Sequence, residues 1–298
     1  SPSPPRVPSA HAAPIPSSDG VDFTSANLDN ANFERAMLSS DIHFTDASLS
    51  NANFSSASVR GKRAVRKKGF NKVSFDGVTA EGIDFSDAWL SYGVGFADAD
   101  LRDAKFRHAT IVTADNKGKL DFKGADLRNA DFSKSASNGK GVVFEDASLQ
   151  GSDWQGALLY YNANLKKADF SSADFTDASM YYGIDASNAI FDDATFDKAN
   201  LYAMKFNGAS FKDASFKDAS IGAATSYAET EFKNADFTGA TFDRASIYGF
   251  IDQKTAPTTV FDEATLTGTS WDEAYIHTGV QFEGAKFDGS TFTGATGE

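Results

Sequence analysis

The chain has 298 residues and a formal charge of −13, with no cysteine and with 27 phenylalanines against three tryptophans and three methionines. That acidity argues against general nucleic-acid binding, which needs clustered Lys and Arg facing phosphate. Without cysteine there are no disulfides or thiolate metal sites, and no apolar run approaches the ~18 residues of a membrane-spanning helix.

Residues 1–20, SPSPPRVPSAHAAPIPSSDG, hold six of the seven prolines and no periodic apolar pattern. They predict an extended, polyproline-like N-terminal arm, expected to shield the first coil of the repetitive region after it. The chain does not begin with Met, so it reads as either a processed mature protein or a trimmed one. The corresponding expectation is an organellar or exported compartment rather than the cytosol.

From Val21 the chain becomes repetitive: VDFTS, ANLDN, ANFER, AMLSS, and later ADFSS, ADFTD, ASMYY. Each unit has a small residue, a polar residue, a Phe or Leu, and two polar or small residues. A period of five fits neither a flat strand nor an amphipathic helix. A small and a large apolar residue two apart suit a short strand segment followed by a corner. The central residues advance by five through Phe23, Leu28, Phe33 and Leu38, then by six to Phe44. They continue through Leu49, Phe54 and Val59, and after a longer interruption through Phe75, Ala80, Phe85 and Leu90. Irregularities therefore fall after every fourth unit, which predicts a four-sided coil with all insertions on one corner. Counting on, new coils are expected at Phe96, Phe122, Phe144, Leu165, Phe191, Phe211, Phe232, Phe261 and Phe282. On that count the first face is Phe in all coils except at Leu165. The third face is mainly aromatic and the fourth mainly aliphatic. The small position just after the inserted corner is often larger, as at Val21, Ile42, Val73, Val94, Leu120 and Val142.

These units resemble the pentapeptide-repeat family, consensus A(D/N)LXX, over residues 21–297. The resemblance implies an all-β fold, a right-handed quadrilateral β-helix with four pentapeptides per coil and both apolar residues inward. The domain reading is thus a Pro-rich arm (1–20) and a β-solenoid (21–298) carrying a basic insertion (60–72). About twelve coils at the ~4.8 Å strand spacing would stack to roughly 55–60 Å.

The insertion RGKRAVRKKGF concentrates Arg60, Lys62, Arg63, Arg66, Lys67 and Lys68 in an otherwise acidic protein. It reads as a solvated loop tip or as an electrostatic docking element for an acidic partner, a lipid headgroup or nucleic acid, the last weakened because only Phe70 interleaves with the charges. Tyrosine is also unevenly placed. Tyr92, Tyr160, Tyr161, Tyr181, Tyr182, Tyr227 and Tyr248 fall one or two residues after the fourth face, while Tyr202 and Tyr275 are expected elsewhere. Beside the basic insertion and further insertions near 112–121, 181–190 and 248–260, they read either as rings packed beneath the loops or as a partner-binding ridge.

No cofactor motif, metal-ligand spacing or catalytic constellation stands out. His11, His43, His108 and His277 occupy different coils, with His43 and His108 at outward positions. The expected function is a non-enzymatic protein–protein scaffold or subunit of a larger assembly. The family resemblance adds the photosynthetic membrane and thylakoid lumen as one setting. It also adds a different class of function, a DNA mimic that modulates a type II topoisomerase (gyrase). The basic insertion and face lysines such as Lys212 and Lys217 weigh against mimicry. No direct nucleic-acid contact and no transmembrane segment are expected, though the basic loop could touch a membrane peripherally.

Overall fold

The computed structural model describes residues 20–39, 41–63, 70–71, 73–113, 118–139, 141–223, 229–249 and 258–297. The predicted arm, apart from Gly20, lies outside the described residues, as do Arg66, Lys67, Lys68 and Tyr227.

Each unit turns for a local reason. The carbonyl of Phe23 accepts the Ala26 N–H at 3.0 Å, and Ser25 between them has φ 58°. A closed four-residue turn with positive φ at its third position is a type II turn. The last position of a unit must therefore enter the left-handed region, which Gly, Asn and Asp tolerate best; Asn30, Asp46, Asn51 and Gly77 all do so. The frequent Asp or Asn before the central residue has its own role. Asn27 Oδ1, for example, accepts the Asp29 N–H at 3.1 Å and holds the corner.

After the fourth unit the chain runs on as a true strand instead. Among the described residues these segments form an eleven-stranded parallel sheet from Met37–Ser39 to Tyr275–Ile276. A six-stranded parallel sheet covers the first face from Val21–Asp22 to Val142–Val143. On the second and third faces successive coils are joined by single parallel bridges such as Asn27↔Ser48 and Asn32↔Asn53.

The core is a set of ladders. On the first face Phe23, Phe44, Phe75, Phe96, Phe122 and Phe144 stack with centroids 4.7–5.1 Å apart. The third face is aromatic from Phe33 to Phe292, with Trp154 and Trp271 in the column. Rings of the two faces meet edge-on, as Phe106 does with Phe122 at 5.6 Å and 88°. The fourth face is aliphatic from Leu38 through Leu90 and Leu159 to Ile247, apart from Met180 and the buried Ser137. The four-sided frame and the single inserted corner are as the sequence predicts.

One stretch of the frame differs. Asn164 bridges Asp185, which in turn bridges Lys205, so the first-face residues after Leu165 are Ala186 and Phe206. Phe191 and Phe211 belong instead to the second face, stacked on Phe170 at 5.0 Å steps. Residues 181–190 therefore hold no insertion, only one extra residue at the corner. The expected all-Phe first face breaks at Ala186 as well as at Leu165. At Leu165 the two faces trade volume, while the ninth and tenth coils carry rings on both, Phe206 with Phe211 and Phe232 with Phe237. Where the first face loses its rings, the second gains Phe170 and Phe191 in place of the earlier Leu127 and Leu149, and both arrangements bury fully.

Candidate interaction surface

The segments joining the fourth face to the first carry most of the residues singled out in the sequence. Lys62–Arg63 and Phe70–Asn71 pair antiparallel, so the two ends of the basic insertion lie side by side. At its root the Arg60 guanidinium sits 5.8 Å from the Tyr92 ring centroid, within cation–π range. The first cation of the insertion and the first tyrosine of the strip are thus brought together. The side chains of Lys62 and Arg63 lie outside what is described.

Further along, the tyrosines form two ladders. Tyr160 stacks on Tyr181 at 5.3 Å and Tyr181 on Tyr202 at 5.5 Å, all within 12° of parallel. Beside them Tyr161 stacks on Tyr182 at 5.3 Å. Tyr202 therefore belongs to the strip, contrary to the sequence expectation; the slipped frame at Phe191 had moved it off the corner. Its hydroxyl and that of Ser220 are 2.5 Å apart. The next position in the column is Gly222, where a Cβ would lie 2.9 Å from Tyr248 Cβ and 3.3 Å from Tyr202 Cε1. Absence of a side chain there lets Tyr248 close over the end of the ladder. Burial raises the Tyr160 and Tyr202 hydroxyls above the usual phenol range, with neighbouring tyrosines adding to it. Both therefore stay protonated and able to donate. Tyr161, Tyr182 and Tyr248 keep more than a third of their surface exposed. Tyr275 pairs with Ser246, before rather than after the fourth-face residue, as expected.

The sequence reading missed the sheet itself. Flanking its inward residues, the outward positions read Met37/Ser39, Ser58/Arg60, Trp89/Ser91, Thr110/Val112, Leu158/Tyr160, Ser179/Tyr181, Asn200/Tyr202, Ser246/Tyr248 and Tyr275/His277. No Asp or Glu is among them, and Met37, Trp89 and Leu158 stand exposed. The other faces carry carboxylates in the equivalent column: Asp121 and Asp185 on the first, Asp100 and Asp126 on the second, Asp131, Asp153 and Asp174 on the third. Many are paired along the rod. Arg102 bonds Asp100 at 2.8 Å and Glu81 at 2.9 Å, and Arg244 bonds Asp218 at 2.8 Å. The signal for the neutral sheet was legible, since the fourth unit of each coil has no acid at its second position.

Among the described residues no group of three or more His, Asp or Glu could hold a metal ion, and no helix is long and apolar enough to cross a membrane. His43 and His108 lie on the outside as expected.

Two family models described as pentapeptide repeats match the chain, one over residues 155–200 and one over 19–40. Among solved structures it is similar to HetL, a pentapeptide repeat protein involved in heterocyst differentiation regulation from the cyanobacterium Nostoc (18% identity, 93% of this chain and 87% of that one, TM-score 0.25). It is similar also to QnrB1, a plasmid-mediated fluoroquinolone resistance protein (15% identity, 94% and 90% covered, TM-score 0.25). A third is a pentapeptide repeat protein of the Arabidopsis thaliana thylakoid lumen (22% identity, 44% and 71% covered, TM-score 0.22). No curated protein sequence matches significantly.

Proposed function

The chain is a pentapeptide-repeat protein, and we propose that it works as a non-enzymatic scaffold whose corner ridge holds a protein partner. The observation that carries this reading is the clustering of Arg60, Tyr92, Tyr160, Tyr161, Tyr181, Tyr182, Tyr202 and Tyr248 on one corner of an otherwise polar, acidic rod. Tyr supplies large contact area at low entropy cost and keeps a polar tip for a hydrogen bond. Stacking of the ladder immobilises the rings before a partner arrives, which lowers the ordering cost of binding. The basic insertion that begins at Arg60 adds long-range attraction for an acidic surface. The fully packed interior leaves the exterior as the place for recognition. Gyrase modulation by charge mimicry draws less support, because Arg102, Arg128, Lys123 and Lys166 neutralise carboxylates along the rod.

The test is affinity capture from native extract with the full chain and with a variant carrying Tyr92→Ser, Tyr161→Ser and Tyr182→Ser. A partner retained by the parent and by an Ile190→Ser control on the second face, but lost by the ridge variant, is the expected result. Equal retention by the ridge variant overturns the reading.

A further inference from the structure

The acid-free fourth face adjoins the corner ridge and shares Arg60, Tyr160, Tyr181, Tyr202 and Tyr248 with it, and we propose that it joins two copies of this chain, face to face, about a two-fold axis parallel to the solenoid, with Tyr161 and Tyr182 left to the ridge's partner. Charge chooses the occupant. At −13 per chain two copies repel wherever carboxylate columns meet, and the first three faces all present such columns. Only on the fourth can a second copy approach without opposing acid to acid. The absence of carboxylates spans all eleven strands, whereas a chance gap in a surface this acidic would cover a coil or two.

Size agrees. Eleven strands at ~4.8 Å give a strip about 50 Å tall, and three strand residues with their side chains make it about 15 Å wide. The product, roughly 750 Å² per copy, is close to the ~800 Å² per partner of a standard interface. Two twisted sheets of this kind pack about 10 Å apart through their side chains.

Shape fixes the axis. A two-fold parallel to the rod sets the residue before each central position against the residue after it in the same coil of the other copy. Those positions are unequal in size in many strands: Met37 with Ser39, Ser58 with Arg60, Ser179 with Tyr181, Asn200 with Tyr202, Ser246 with Tyr248. Each bulky side chain of one copy then lies over a short one of its mate, and tyrosine hydroxyls come opposite Ser and Asn. A two-fold running along the strands would put Leu158 on Leu158 and Tyr160 on Tyr160. The outer Tyr161–Tyr182 ladder and the basic insertion flank the contact, leaving them for a different protein.

Sedimentation equilibrium of the full chain at tens of micromolar is expected to give twice the 31.8 kDa chain mass. Leu158→Glu and Trp89→Glu, both at exposed positions, should weaken the dimer at least tenfold with no change in thermal unfolding measured at submicromolar, monomeric concentration. The Ile190→Glu control should leave it intact. Because the chain has no native cysteine, an equimolar mixture of Ser179→Cys and Tyr181→Cys chains should cross-link through a short bismaleimide, and Ser179→Cys alone should not. A monomer at all concentrations, a dimer insensitive to both Glu substitutions, or cross-linking of Ser179→Cys to itself overturns the proposal. Partner capture through Tyr161 and Tyr182 should survive Leu158→Glu, so failure here leaves the ridge reading standing.

Discussion

Ala186 and Phe191 place the ring on the second face of the eighth coil, whereas Phe144 and Leu149 place it on the first face of the sixth. All four side chains are buried, so a ring gained or lost at either position must be taken up by its neighbours.

A reciprocal exchange is therefore expected to show strong coupling. Ala186→Phe alone should cost about 1–3 kcal/mol through overpacking. Phe191→Leu alone should cost on the order of 1 kcal/mol through lost volume. The double variant restores the sixth-coil pattern, and its cost should fall below the sum by at least 0.5 kcal/mol, roughly the threshold for interacting sites. Urea unfolding of the four proteins measures this.

A second expectation concerns Ser137. It occupies the inward position of the fourth face, in register with Ile111 and beside Leu159, and its buried Oγ has no hydrogen-bond partner. An unsatisfied buried hydroxyl costs about 1–3 kcal/mol. Ser137→Val should thus stabilise the chain by about 1 kcal/mol, seen as a raised thermal midpoint. A lowered midpoint would mean that the column has no room for two methyl groups.

The third is a pH dependence. Asp153 is held above the ordinary carboxylate range, first by burial and then by Asp131 and Asp174 above and below it. A carboxyl with a raised folded pKa weakens the fold while ionised, and that penalty disappears as pH falls through its folded and then its unfolded value. Asp153→Asn keeps the acceptor for the Gln155 N–H, just as Asn53 holds Ser55 in the same column. It should stabilise the chain at pH 7 by a fraction of a kcal/mol, given solvent screening, seen as a raised thermal midpoint. Below about pH 4 the gain should vanish. Asp100 and Asp126 have the opposite sign: hydrogen bonds from Arg102 and Arg128 depress them. Their contribution is present at neutral pH and lost on acidification.

A fourth concerns the core ladder. Phe106 stacks on Phe85 at 5.3 Å and on Phe132 at 4.7 Å and is fully buried. Phe106→Ala should cost about 3–5 kcal/mol. Phe292, at the exposed edge of the same column, should cost far less when replaced by Ala, as denaturant titration would show.

The fold was readable because each apolar column reports itself. Phe23, Phe44 and Phe75 must stack if four units make a coil, and they do at 5.1 and 4.7 Å. The count slipped where Ala186 stands in the place of a ring, since a missing ring erases the marker being followed. The correcting signal was available. Ile184 belongs to the larger-residue column of Val21, Ile42 and Val73, which identifies the start of a coil independently of the central residue. The ridge was legible in Tyr160, Tyr161, Tyr181 and Tyr182, but Tyr202 went astray with the frame. The neutral sheet was overlooked for another reason. A search for sites attends to residues that carry chemistry, and Met37, Trp89 and Leu158 are conspicuous only once the strands are in register and the acids of the other faces are seen beside them.

The central claim, that recognition lies on the corner between the fourth and first faces, is tested most directly by photo-cross-linking. A benzophenone amino acid is placed at Tyr161, at Tyr182, or at Ile190 on the second face, and each full chain is irradiated in native extract. The account predicts one discrete adduct from the two corner positions and none from Ile190. An adduct from Ile190 with none from Tyr161 or Tyr182 would contradict it.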